Sequence, residues 1–193
     1  MKYICIDIET TGLDPETCQI IEFAAVIRDT KTDEKLNESP SFHCYVKHKM
    51  YQGGAYAIAL NARVFEQLSS KKPDAPIYTR DKLCDEFYEW LKLNEFEQSK
   101  TNCKIHFVAA GKNFGNFDLQ FLKKLPKWNA CFNVSARILD PAMLWIRPED
   151  NRVPGLKTCM DRAGIEGEVT HHALQDVYDT IMTIELGLKN LWK

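Results

Sequence analysis

Three strand-like segments, the first two apolar and rich in β-branched residues, open the chain, and the connections between them are short and polar. These segments predict strands over residues 2–9, 19–29 and 42–46. The connections are too short for helical crossovers, which parallel neighbours would need, so the three strands should run antiparallel. The sequence therefore predicts an antiparallel meander as the frame of the fold.

The rest of the chain alternates between helical and strand-like patterns. Helices are predicted over 56–68, 79–96, 118–124, 154–163 and 170–191, and strands over 105–110 and 138–140. Because these two strands follow helices, they can pair parallel to the rest of the sheet. We therefore expect an α/β fold in which a mixed five-stranded sheet, three antiparallel strands then two parallel ones, is flanked by helices.

Composition narrows the class of protein. The 193 residues, 45% of them hydrophobic, suit a single domain spanning 1–193. No apolar run approaches the roughly 18 residues of a membrane span, and the N-terminus does not resemble a secretory signal. The seven cysteines are scattered and form no C-x-x-C pair, which favours buried, reduced thiols and a cytoplasmic location over disulfides or a zinc site. The net charge of −2 neither indicates nor excludes a polyanionic partner.

Two acids lie in the first predicted strand. Asp7 and Glu9 are two residues apart, so both side chains point to the same side of the sheet. Two anionic groups on an apolar strand repel each other and lose hydration, which a bound cation or a shared proton would offset. An exposed strand end carrying two solvated acids is the alternative, and the spacing alone leaves both open.

Further acids and bases lie where predicted helices begin. Asp118 follows the fourth strand, where it could cap a helix or face a ligand crevice at the strand ends. His171 and His172 precede Asp176 at the start of the closing helix. His172 is four residues from Asp176 and would share its face of a regular helix, whereas His171 would reach the same place only from a turn before the helix.

Three motifs resemble those of the DnaQ-like 3′–5′ exonucleases. Residues 6–13 (IDIETTGL) are similar to the first motif, and residues 116–118 (NFD) with 121–122 (FL) to the second. Residues 171–176 (HHALQD) are similar to the third, in the form with His five residues before Asp that defines the DEDDh branch. The second motif departs from the family pattern His-Asn-x-x-Phe-Asp, because its turn is one residue longer after Gly111-Lys112-Asn113.

This resemblance implies a ribonuclease H-like fold and a two-metal hydrolytic mechanism. Its metal ligands would be Asp7, Glu9, Asp118 and Asp176, a set of oxygen donors that suits two Mg²⁺ or Mn²⁺ ions. By resemblance, Asp7 would bridge the ions, Glu9 and Asp176 would hold one, and Asp118 would support the other through water. His171 would be the general base that takes the proton of the attacking water.

The resemblance also implies a pocket for the 3′-terminal nucleotide. Its expected residues are Thr10, Thr11, Leu13, Asn116 and Phe117, with backbone N–H groups near Thr10 and Thr11 meeting the 3′ hydroxyl and Leu13 wedging against the base. The expected partners are single-stranded DNA or RNA 3′ ends, and no membrane; a polymerase or other protein in trans and a homodimer are possible partners. A non-catalytic nucleic-acid-binding or scaffold protein on the same fold, and an exoribonuclease for short RNA, are the alternatives.

Overall fold

A computed structural model of the chain describes residues 1–32 and 34–191. The strands are β1 (Lys2–Thr10), β2 (Ile20–Asp29), β3 (Ser41–Lys47), β4 (Ile77–Thr79), β5 (Ile105–Phe107), β6 (Ala109–Ala110) and β7 (Phe132–Val134). The helices are α1 (Ala55–Leu60), α2 (Ala62–Ser69), α3 (Arg80–Leu93), α4 (Asp118–Leu122), α5 (Trp128–Cys131), α6 (Ala142–Trp145), α7 (Leu156–Ala163) and α8 (Ala173–Leu191), and a short 3-10 helix spans Leu36–Glu38.

The main sheet has five strands in the order β4-β3-β2-β1-β6. The pairs β1–β2 and β2–β3 are antiparallel, as the short connections predicted. One strand is added parallel at each edge, β6 beside β1 and β4 beside β3. The expected α/β fold with a mixed five-stranded sheet is therefore confirmed.

The outer strands differ from the prediction in three places. The three-residue strand β4 was not expected, because a segment that short carries no alternating pattern. The predicted strand 138–140 is reduced to a single parallel bridge between Ala110 and Leu139, held by two backbone hydrogen bonds of 3.0 Å. The predicted strand 105–110 is divided, since β5 pairs with β7 in a separate two-stranded sheet and β6 joins the main sheet.

All five predicted helices have different boundaries in the structure, and two of the differences affect the site. The helix expected over 56–68 is broken at Asn61 into α1 and α2. The closing helix begins at Ala173 and not at residue 170, because His171 adopts a left-handed backbone conformation with φ of 51° that a helix cannot continue through. The side chain of His171 is thereby presented from a turn, outside the regular helix.

Helices cover both faces of the main sheet. On one face, Tyr3 and Cys5 of β1 belong to an apolar cluster with the buried side of α8. On the other face, Ile4, Ile6 and Ile8 pack in a larger cluster with α3, whose aromatic centre includes Phe87. Burial of each such aliphatic side chain contributes about 1.5–3 kcal/mol to folding. The alternation along β1 places its odd-numbered residues, the two acids included, on the α8 side.

The seven cysteines are free thiols. Four of them are buried, as expected for small core residues: Cys5, Cys44, Cys84 and Cys159. Over residues 1–32 and 34–191, every helix is too short or too polar to cross a lipid bilayer.

Candidate active site

A pocket of about 390 Å³ lies where β1 ends, next to α1 and the first turn of α8. It is lined by both ends of the chain, including all five residues to which the motifs gave a catalytic role: Asp7, Glu9, Asp118, His171 and Asp176. The folded sheet thus brings together acids that are up to 169 positions apart in the sequence.

Asp7 and Glu9 enter the pocket from the same face of β1, as their spacing predicted. Asp7 is half-buried and Glu9 is buried. Burial raises the pKa of Asp7 well above its usual range, and the neighbouring carboxylate of Asp118 raises it further. Burial also raises the pKa of Glu9 to about 7. Each acid is held where its charged form is unfavourable unless a cation is added.

Asp118 is the first residue of α4 and reaches back to β1. It is buried, and its Oδ1 accepts a hydrogen bond of 3.1 Å from the backbone N–H of Ile8. Burial raises the pKa of Asp118, although this hydrogen bond acts in the opposite direction. The turn before α4 is formed by Asn113, with φ of 59°, whose N–H donates to Asp140 Oδ2 at 2.9 Å.

The first turn of α8 supplies the remaining two groups. Asp176 is buried and accepts hydrogen bonds of 3.3 Å from both the N–H and the hydroxyl of Thr170. His171 precedes the helix, is 46% exposed, and has its Nδ1 3.9 Å from Glu9 Oε1. One ligand atom each from Glu9, His171 and Asp176 lie within 4.8 Å of one another. These side chains form one compact group of oxygen and nitrogen donors.

His172 points elsewhere. Its Nδ1 lies 3.5 Å from Glu22 Oε1, and the residue is not part of the pocket wall. The structure therefore brings His171, and not its neighbour, to the carboxylates, in the turn that the family spacing required.

Three of the five residues expected to bind the terminal nucleotide line the pocket, namely Thr10, Leu13 and Phe117. Leu13 is 84% exposed. Phe117 is half-buried and packs against Phe121, with ring centroids 5.1 Å apart. Leu13 and Phe117 give the pocket apolar surface next to its carboxylates.

The other two residues have different surroundings. Thr11 is buried, its N–H donates to Gln19 O at 2.9 Å, and its hydroxyl donates to Gln52 O at 2.5 Å. The backbone N–H of Thr11 is therefore already occupied and is not free to meet a 3′ hydroxyl. Asn116 is exposed and does not line the pocket. Its part in substrate binding stays a prediction.

One wall of the pocket was not identified from the sequence. Tyr56, Leu60 and Asn61 line it from α1 and the break after it. Tyr56 is 80% exposed, while Asn61 is buried, donates to Thr10 O at 3.3 Å, and has an Oδ1 without a hydrogen-bond partner. The helical spacing of this segment indicated a core-facing helix, and nothing in it signalled contact with β1.

Comparison with known proteins fits this geometry. The family model described as Exonuclease (RNase_T) matches residues 4–183 of the sequence. The chain belongs to the exonuclease family. This confirms the family indicated by the three motifs. A search of curated proteins gave no significant match to this exonuclease-family chain.

Solved structures of exonuclease I are similar to this exonuclease-family chain. E. coli Exonuclease I in complex with a dT13 oligonucleotide has a TM-score of 0.63 and 20% identity, over 99% of this chain and 42% of that one. The zinc-bound E. coli ExoI–ssDNA complex has a TM-score of 0.66 and 20% identity, over 100% and 41%. Exonuclease I from Methylocaldum szegediense has a TM-score of 0.64 and 15% identity, over 98% and 40%. This chain thus shares their fold and spans about two fifths of their length.

Proposed function

We propose that this protein is a metal-dependent 3′–5′ exonuclease that hydrolyses nucleic-acid 3′ ends to nucleoside 5′-monophosphates. The observation that supports it most is the convergence of four carboxylates and one exposed imidazole, Asp7, Glu9, Asp118, Asp176 and His171, in one pocket. Membership of the exonuclease family supports the reaction class. We further propose that residues 1–193 act as one catalytic domain.

The carboxylates fit a site for divalent cations. Within residues 1–32 and 34–191, neither Asp7 nor Asp118 forms an ion pair with a basic side chain, and burial raises the pKa of both. A purely oxygen-donor set of this kind prefers Mg²⁺ or Mn²⁺ over softer metals. We assign Asp7, Glu9, Asp118 and Asp176 as the ligands. Two such ions, when bound, would supply an activated water and neutralise charge at the scissile phosphate.

His171 suits the role of general base. It lies on the rim of the pocket, is about half exposed, and can approach a water molecule beside the carboxylates. We assign it to accept the proton of the water that attacks the terminal phosphodiester, while the 3′ oxygen of the preceding nucleotide leaves. Because Thr170 is tied to Asp176, the turn that carries His171 is anchored to the metal-ligand side of the pocket.

The apolar surface of the pocket suits an unpaired terminal base. Leu13, Tyr56 and Phe117 line it, and base–aromatic stacking is tolerant of sequence. Similar solved structures contain dT13, dA16 or ssDNA. We therefore propose single-stranded 3′ ends, of DNA or RNA, as the substrates. A protein partner in trans and a reducing, cytoplasmic location are further parts of the proposal; one similar structure is of SSB with Exonuclease I.

The experiment is a gel assay on 5′-labelled single-stranded oligonucleotides, with matched DNA and RNA sequences, in Mg²⁺ and in EDTA. The proposal predicts progressive shortening from the 3′ end in Mg²⁺ and intact substrate in EDTA, and chromatography of the unlabelled products should show nucleoside 5′-monophosphates. Asp7→Asn serves as the matched control for contaminating nucleases. Substrates that stay intact in Mg²⁺ but are bound by the protein in a gel mobility-shift assay would favour the non-catalytic binding protein instead.

A further inference from the structure

Behind the pocket lies a buried carboxylate that the catalytic scheme does not use. Glu22 is fully buried on β2, directly opposite Glu9 in the antiparallel register of β1 and β2. Opposed residues of an antiparallel pair share a face, so both carboxylates project toward α8. Glu9 faces the pocket, whereas Glu22 meets the residues that lead into α8.

Three donors bind the Glu22 carboxylate, and His172 lies beside it with its Nδ1 in no hydrogen bond. Arg63 Nη2 lies 2.6 Å from Oε2, and the backbone N–H of Ala173 points to the same oxygen at 3.4 Å. His43 Nε2 lies 2.7 Å from Oε1, and His172 Nδ1 lies 3.5 Å from it. A buried carboxylate is tolerated only when donors of this kind satisfy it. The donors come from β3, α2 and the start of α8, so Glu22 joins three elements.

Arg63 is itself fixed. Its Nη1 donates to the hydroxyl of Tyr45 at 2.8 Å, and that hydroxyl donates to Asp74 Oδ1 at 2.8 Å. The network therefore extends from the loop before β4 through β3 and α2 to the first N–H of α8. Each link fixes the orientation of the next, so the Glu22 carboxylate has little freedom to move.

The segment that Glu22 holds is the one that carries His171. The left-handed conformation of His171 is unfavourable for a residue with a side chain and persists only where the flanking residues are anchored. On the N-terminal side, Thr170 is tied to Asp176 by two hydrogen bonds. On the C-terminal side, the anchor is the hydrogen bond from the Ala173 N–H to Glu22.

We propose that Glu22 is a positioning residue for His171: by holding the Ala173 N–H, it fixes the turn that presents the imidazole to the carboxylates. The inference rests on the proposed function, in which His171 is the base. It also accounts for His172, which lies beside Glu22 inside the fold and does not line the pocket. Glu22, His43 and His172 have ligand atoms within 4.8 Å of one another, but Arg63 and the Ala173 N–H already occupy one oxygen of the carboxylate.

The test compares Glu22→Gln with Glu185→Gln in the 193-residue protein. Glu185 pairs with the buried Arg28 of β2 at 2.6 Å, so its substitution breaks a partly buried ion pair of that strand, away from the pocket. With saturating Mg²⁺ and a single-stranded oligonucleotide, Glu22→Gln should lower kcat about 10- to 100-fold, the effect of a displacement near 1 Å, and leave KM within about threefold. Glu185→Gln should leave both constants unchanged.

A double-mutant cycle separates positioning from general destabilisation. In a His171→Ala background, Glu22→Gln should cause almost no further loss of kcat, because Glu22 acts through the imidazole. An equal loss in both backgrounds, or an unchanged kcat in Glu22→Gln, would overturn the inference. A zinc ion bound stoichiometrically by the wild type and lost in both Glu22→Gln and His43→Ala would overturn it too, since the cluster would then be a metal site.

Two measurements keep the test decisive if a variant or the wild type gives no activity. Glu22→Asp retains the charge for Arg63 and should have a kcat between those of wild type and Glu22→Gln; a wild-type value would contradict the inference. Amide exchange at Ala173, followed by NMR, needs no substrate: protection should fall in Glu22→Gln and persist in Glu185→Gln. If the wild type cleaves no oligonucleotide, the proposed function fails while this exchange pattern still decides the role of Glu22.

Discussion

The carboxylate of Asp118 accepts a hydrogen bond at 3.1 Å from the backbone N–H of Ile8, the residue between Asp7 and Glu9. This bond ties the turn after β6 to the strand that carries the first two acids. Because Asp118 is buried and holds this bond, the protein itself positions the third carboxylate of the pocket.

Replacing His171 should abolish most turnover, whereas replacing His172 should not. General bases contribute about 10²- to 10⁴-fold to rate, so His171→Ala should reduce single-turnover cleavage by that order. His172 Nδ1 is 3.5 Å from Glu22 and outside the pocket, so His172→Ala should retain most activity. The two variants are matched controls for each other, and the reverse result would assign the base to His172.

Asp7→Asn should make the protein inactive and more stable in the absence of metal. Burial and the charge of Asp118 raise the pKa of Asp7, so the ionised carboxylate is unfavourable in the metal-free fold and a neutral amide removes that penalty. Metal ions contribute several kcal/mol to such reactions, which corresponds to at least about a hundredfold loss of rate. Thermal unfolding in EDTA measures the first effect and the gel assay the second; a lower Tm for Asp7→Asn would contradict the explanation.

The stability of the metal-free protein should fall as the pH rises toward neutrality. Burial raises the pKa of Glu9 from 4.5 to about 7, so the folded chain holds this proton more tightly than the unfolded chain. Its contribution to stability is therefore present below pH 4.5 and lost as the pH rises through about 7. Asp7, Asp118 and Asp176 are shifted in the same direction.

This pH dependence is measured as Tm in EDTA across that range, with Glu9→Gln as the control. The Tm of the variant should fall less steeply as the pH rises, since the titrating group is gone. Added Mn²⁺ should raise the Tm of the wild type most at the higher pH values, because the ligands must be deprotonated to bind it. An identical pH profile in wild type and Glu9→Gln would show that Glu9 is not the titrating group.

The exposed apolar wall should determine substrate affinity. Tyr56 is 80% exposed beside the pocket, and aromatic stacking on a base is worth about 1–3 kcal/mol, so Tyr56→Ala should raise KM for single-stranded substrates roughly tenfold. Tyr56→Phe, which keeps the ring, should remain close to wild type. Leu93→Ala on α3 is the control, because Leu93 is also 83% exposed but lies outside the pocket. Equal KM values for Tyr56→Ala and Leu93→Ala would remove Tyr56 from the binding surface.

The features that sequence predicted are those set by local periodicity. The alternation along β1 predicted that Asp7 and Glu9 share a face, and the short connections predicted the antiparallel meander. The spacing of His171 from Asp176 required a turn before the helix, and the positive φ of His171 provides it. Motif order then identified which distant acids belong together.

The features that sequence missed depend on contacts between distant segments. β4 is defined only by its pairing with β3, since three residues carry no pattern of their own. The place of Tyr56 in the pocket follows from how α1 packs against the end of β1. The Thr11 N–H is occupied because it donates to Gln19 O across the loop between β1 and β2. No local pattern encodes such relationships.

The most direct measurement is anomalous scattering from crystals soaked in manganese. If Asp7, Glu9, Asp118 and Asp176 form a cage for divalent ions, anomalous peaks will lie between their oxygens, and Asp7→Asn crystals soaked identically will show weaker peaks or none. A wild-type map without a peak among these carboxylates, under conditions in which the protein degrades oligonucleotides, would contradict the metal site on which the proposed reaction depends.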